Sequence, residues 1–133
     1  MTTKTARRPR ILVAHKNAEW VDHAKTRLEQ MGYKVTDCLE LDWVADLMGG
    51  SQPFDLAAIS SELDPAGQAA IMKMIKEGRC VTRLMLLLDE LDSESMLFRG
   101  KAPILTHRIS QDIHEFALAV AAQVGVPHRK PEV

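Results

Sequence analysis

The chain has 133 residues, enough for one domain with one core. Its 46% hydrophobic and 26% charged residues describe an ordinary globular balance and exclude an intrinsically disordered or collagen-like chain. A formal net charge of -1 gives no overall field to draw in nucleic acid, and no apolar run approaches the roughly 20 residues that a membrane span needs.

The N-terminus is basic but has no apolar stretch of the secretory kind, so a cytoplasmic protein is expected. The two cysteines, Cys38 and Cys80, have neither CxxC spacing nor metal-ligand company, and read as free thiols. Residues 1–9 form a polar, basic arm with Lys4, Arg7 and Arg8, and residues 127–133 a polar tail. Between them, residues 10–126 read as a single domain.

Ile11-Leu12-Val13-Ala14 is a short apolar run of the kind buried on both faces of a sheet. Asn17 follows as a helix cap. Trp20, Ala24, Leu28 and Met31 then share one helical face, with Val21 beside them, and Gly32 ends the helix. A second, weaker strand runs from Tyr33 to Cys38. Leu41, Val44, Ala45 and Met48 give a short helical face stopped by Gly49-Gly50. Asp55 to Ile59 is a third strand, followed by a polar loop from Ser60 to Gly67. Ala70, Ile71, Met74 and Ile75 mark a third helix closed near Gly78. Leu84 to Leu88 is the strongest strand signal. The segment Asp89 to Lys101 is weakly patterned, with a short fourth helix expected around Ser93 to Phe98. Ile104-Leu105 makes a fifth strand, and Ser110 is expected to cap a fifth helix whose face is Ile113, Phe116, Ala117, Val120, Ala121 and Val124. Trp20 and Trp43 both read as packing anchors, and Met72 and Met74 as core and rim.

Five strand-helix units imply an α/β fold: a parallel sheet with right-handed crossovers and helices on both faces, in the flavodoxin-like order 2-1-3-4-5. Ligands of such sheets bind beyond the carboxyl ends of the strands. That rule selects His15 and Lys16 after the first strand, Ser60 to Glu62 after the third, Asp89 and Glu90 after the fourth, and His107 and Arg108 after the fifth.

The opening Arg10-Ile11-Leu12-Val13-Ala14, and Phe54-Asp55-Leu56-Ala57-Ala58-Ile59 followed by a loop with Pro65 and Gly67, give residues 10–125 a pattern that resembles the response-regulator receiver domain (CheY-like) of two-component signalling. The resemblance implies a phosphorelay module whose active residues can be carried over by position, and each is replaced here. The two acidic residues that hold Mg²⁺ fall at His15 and Lys16. The phosphoacceptor aspartate falls at Ser60. The Ser or Thr ending the fourth strand falls at Leu88, or at Asp89 if the register is off by one. The lysine after the fifth strand falls at His107 or Thr106, and no proline follows.

Imidazole and ammonium are poor substitutes for the carboxylates that a hard divalent cation requires. A serine hydroxyl needs a nearby base to act as a nucleophile. The expectation is therefore a pseudo-receiver that acts as a protein-interaction module, is not an enzyme, and uses no cofactor. By resemblance, its partner or a homodimer contact would use the face of the fourth helix, fifth strand and fifth helix, roughly Ser93 to Gln123. Two alternatives belong to other classes. His15, Lys16, His107 and Arg108 offer an anion site for a phosphate-bearing ligand such as a nucleotide. Ser60 with His15 or His107 would be a hydrolase pair, without the G-x-S-x-G elbow. A transition-metal site at His15, Glu62, Asp89 and His107 has no matching motif spacing. The basic arm is too short, in a chain of this charge, to argue for nucleic acid.

Overall fold

Every side chain of the run Ile11 to Ala14 is inaccessible to solvent, because this run forms the inner strand β1 (Arg10–Ala14), covered on both faces. The computed structural model describes residues 8–50, 54–77, 82–88, 105–109 and 112–125. In chain order, β1 is followed by α1 (Ala18–Gln30), β2 (Lys34–Cys38), a 3₁₀ turn (Leu41–Trp43) that runs into α2 (Val44–Met48), β3 (Leu56–Ser60), α3 (Pro65–Lys76), β4 (Arg83–Leu88), β5 (Leu105–Arg108) and α4 (Ile113–Val124). All the strand pairs are parallel, and the sheet order is β2-β1-β3-β4-β5. The short helix expected around Ser93 to Phe98 lies outside the described residues, so α4 here is the fifth helix of the sequence pattern. Among the described residues, no helix is long and apolar enough to cross a membrane.

The two-residue period of the strands divides the core. Ile11, Val13, Leu56, Ala58, Met85 and Leu87 pack on one side with α1 and α4. Leu12, Ala14, Ala57, Ile59, Leu86 and Leu88 pack on the other with α2 and α3.

Local chemistry sets most element ends. The Asn17 side chain accepts from the Trp20 backbone N–H and caps α1. Gly32 takes φ 101° just beyond the last turn of α1, a conformation costly for other residues. Asp64 caps α3 by accepting from Gly67 N–H at 2.8 Å, with Pro65 in the first helical position. A Cβ on Gly67 would lie 2.8 Å from both Asp64 Oδ1 and Leu63 Cδ1, so a larger residue here would have to displace the capping carboxylate and the Leu63 side chain. Asp55, expected to open the third strand, instead precedes it and accepts from the Arg10 N–H at 2.7 Å. Tyr33, buried ahead of β2, donates its O–H to the Gly125 carbonyl at 2.6 Å and ties the end of α4 to the sheet. Burial raises the Tyr33 pKa.

Ser60, expected in the loop, is the last residue of β3, and Pro65 to Gly67, expected in the same loop, open α3. Three further expectations need correction. The cap of α4 is Asp112, whose carboxylate accepts from the His114 N–H at 3.0 Å; Ser110 lies outside the described residues. The fifth strand extends through Thr106, His107 and Arg108, so the last two are strand residues rather than loop residues. Trp43 is not a packing anchor: it is 57% exposed, whereas Trp20 is 8% exposed. The helical spacing around Trp43 is interrupted by the 3₁₀ turn, whose threefold geometry turns Trp43 outward while Val44 and Met48 enter the core. Met74 is buried and Met72 packs at the rim. Cys38 is a buried free thiol, and Cys80 lies outside the described residues.

Candidate functional site

Strand register alone places the candidate residues in one row. Cys38, Ala14, Ile59, Leu86 and Thr106 are lateral neighbours across the sheet. One residue further toward the carboxyl ends come His15, Ser60, Leu87 and His107, with Ser60 paired to Leu87 and Leu87 to His107. His15 extends the ladder, its N–H donating to the Cys38 carbonyl at 3.0 Å.

The side chains of this row separate into two groups. His15 and His107 follow the parity of Val13 and Leu87 and turn toward α1 and α4. There they end a chain of four rings. The centroids of His15 and Trp20 are 5.6 Å apart, those of Trp20 and Phe116 5.0 Å in an edge-on contact, and those of Phe116 and His107 5.6 Å. His15 is buried, and its Nδ1 accepts from the Asn17 N–H at 3.0 Å, so a proton on the neutral ring belongs on Nε2. Burial pulls the His107 pKa below the usual imidazole value, and the nearby Glu115 carboxylate opposes that shift.

The second group closes the mouth between β1 and β3. Ser60 is buried, and its Oγ accepts from the Glu62 N–H at 3.0 Å, fixing the loop after β3 in a tight turn. Lys16 Nζ meets Glu62 Oε1 at 2.6 Å, so an ion pair spans the two loops. Leu88, the remaining carried-over position, is the last residue of β4 and is buried on the opposite side of the sheet, in the core with α2 and α3. Arg108 pairs with Leu88 in the β4–β5 ladder. Asp89 and Glu90 lie outside the described residues.

The structure thus joins Lys16, Ser60 and Glu62 in one cluster and His15 and His107 in another, and separates both from Leu88. Nothing in the sequence places Trp20 and Phe116 at the site, because residues 96 apart in the chain give no local signal of their contact. Asn17 was legible as a cap, but not as the donor that fixes the His15 ring. A divalent cation does not fit the donor set that the described residues offer. An imidazole and an ammonium follow β1, a hydroxyl ends β3, and the Glu62 carboxylate is already engaged by Lys16. Among the described residues, no three His, Cys, Asp or Glu side chains come together as metal ligands.

No protein-family model and no curated protein matches the chain. Its fold has clear counterparts among solved structures. The signal receiver domain of an HD domain-containing protein from Pseudomonas fluorescens Pf-5 matches with a TM-score of 0.67 at 18% identity, over 89% of this chain and 95% of that one. The receiver domain of a putative Luxo repressor protein from Vibrio parahaemolyticus gives a TM-score of 0.70 at 14% identity, over 89% and 91%. A CheY-like receiver domain protein from Methanospirillum hungatei JF-1 gives 0.69 at 15%, over 89% and 94%. The strand order, the two-sided core and these likenesses agree on one architecture: the chain has the fold of a response-regulator receiver domain.

Proposed function

We propose that the chain is a signalling module of the receiver type that acts by docking to another protein and does not accept a phosphoryl group. The observation that carries this reading is the Lys16–Glu62 ion pair across the mouth of the sheet, beside a serine whose hydroxyl is bonded to its own loop. Phosphoryl transfer depends on metal and cationic clamps around the moving group. At this mouth the cation is tied to the neighbouring carboxylate and the acceptor position holds an un-ionised hydroxyl. Without phosphoryl energy, only differential binding of a partner shifts the population of states.

The docking face suggested by the resemblance includes β5 and α4. It is supported by Leu118, which projects from α4 and is 54% exposed, in a helix whose outer surface also carries the exposed Ala122. The anion-sensing alternative has less support. The two histidines are drawn into the ring stack, and Lys16 is engaged by Glu62.

Incubation with Mg²⁺ and a small phosphodonor, read by intact mass, is expected to leave the mass unchanged. A phosphoryl group added to an Asp or Glu would overturn the proposal. In a parallel thermal-shift titration, a nucleotide that raised the melting temperature of the protein but not of Lys16→Ala would favour the sensing alternative.

A further inference from the structure

Charge is segregated along this chain. Residues 35–72 hold seven of the 18 acidic residues and none of the 17 lysines and arginines; the other 95 residues hold 11 acids and all 17 bases. Within the acidic stretch, the connection between β2 and α2 carries two of the three large hydrophobic side chains that stand exposed among the described residues, Leu39 at 41% and Trp43 at 57%. The third, Leu118, lies apart on α4. Around them, Glu40, Asp42 and Asp46 are exposed carboxylates.

The Trp43 indole is held in place. Its Nε1–H donates to Glu40 Oε2 at 3.1 Å, and its backbone N–H to the Glu40 carbonyl at 3.1 Å. Beneath it, Val44 and Met48 anchor α2 in the core. The one polar atom of the ring is satisfied within its own segment, which leaves the indole face as apolar surface in a fixed pose, bordered by negative charge. An aromatic ring oriented in this way has less freedom to lose on binding, and tryptophan is prominent among interface residues that dominate affinity.

We infer that the Leu39–Trp43 connection is a docking surface for a short basic segment of another protein, one that carries lysine or arginine together with an aliphatic side chain. A cationic group would meet the indole face and the carboxylates beside it, and the aliphatic side chain would cover Leu39. Charge complementarity selects this occupant over an acidic or purely apolar one. The five-residue span selects a short segment over a second copy of the chain, since a stable interface needs about 800 Å² from each partner. This surface is separate from the α4 face and stands whether or not the phosphorylation reading does.

Binding of a dye-labelled short peptide of alternating lysine and leucine to the full chain, followed by fluorescence anisotropy, tests it. Glutamate-leucine serves as the opposite-charge probe. Affinity for the lysine-leucine peptide is expected to fall about tenfold in Trp43→Ala and again in a triple Glu40→Gln, Asp42→Asn, Asp46→Asn variant, to weaken with added salt, and to persist in Leu118→Ala. The glutamate-leucine peptide is expected not to bind. Absence of lysine-leucine binding, equal binding of both peptides, or equal loss in Leu118→Ala would overturn the assignment. Sedimentation velocity showing a dimer that Trp43→Ala dissolves would replace it with self-association.

Discussion

The two tryptophans of this chain occupy opposite environments. Trp20 lies between His15 and Phe116 in a buried ring stack beneath the carboxyl end of the sheet, whereas Trp43 stands in solvent on the β2–α2 connection with its N–H tied to Glu40. Each precedes a valine and belongs to a helical segment, yet their roles differ because of what each segment packs against. Trp20 is on a 13-residue helix with a continuous apolar face turned to the sheet. Trp43 is in a 3₁₀ turn, too short to bury a stripe, and the following α2 supplies the anchors instead. One region therefore serves stability, and the other is available for recognition.

The sharpest way to break that contrast is to truncate one ring in each region. Phe116→Ala removes the centre of the buried stack and is expected to cost about 3–5 kcal/mol in urea unfolding. Trp43→Ala is expected to cost less than about 0.5 kcal/mol, as exposed substitutions do. Comparable losses would mean that Trp43 packs in solution. Ser60→Ala comes next. It strips the Glu62 N–H of its acceptor in a half-buried turn, and a loss of about 0.5–1.5 kcal/mol is expected.

The histidine at the far end of the stack adds a pH signature. Its folded pKa lies below the unfolded value of 6.5, so at mildly acidic pH the unfolded chain binds more protons there. The stabilisation from neutral His107 is present above 6.5 and is lost as pH falls through the depressed folded value. His107→Gln should flatten this part of a stability–pH curve; an unchanged slope would show that His107 is solvated. A small effect is also expected at the Lys16–Glu62 pair. Both side chains are substantially exposed, so Lys16→Ala should change stability by less than about 1 kcal/mol, and less still in high salt.

The strands β1, β3 and β4 were legible because residues buried on both sides read as unbroken apolar runs, and α1 because its face, its Asn17 cap and its terminal Gly32 agree. The four apolar residues Leu56 to Ile59 mark β3 but not its end: the sequence places Ser60 in the loop, and ladder pairing with Leu87 holds it in the strand. Less legible were places where a neighbour in space sets the outcome. The sequence marks only Ile104-Leu105 as the fifth strand, yet β5 extends through His107 and Arg108, because pairing with Leu87 and Leu88 holds polar residues in a strand that their own propensity does not demand. The α4 cap was expected at Ser110, and Asp112 holds it, since two competent capping residues so close together cannot be ranked without knowing where the helix meets the sheet.

The sequence by itself determined the α/β class and the placing of His15, Lys16 and Ser60 at the carboxyl end of the sheet. These depend on residue type and on periods of two and 3.6, which the chain carries locally. The tertiary structure decided that the two histidines flank Trp20 and Phe116, that Lys16 pairs with Glu62, and that Trp43 faces water. Each of these depends on segments distant in the chain, or on the space left beside a turn, and neither is written in the spacing of one segment.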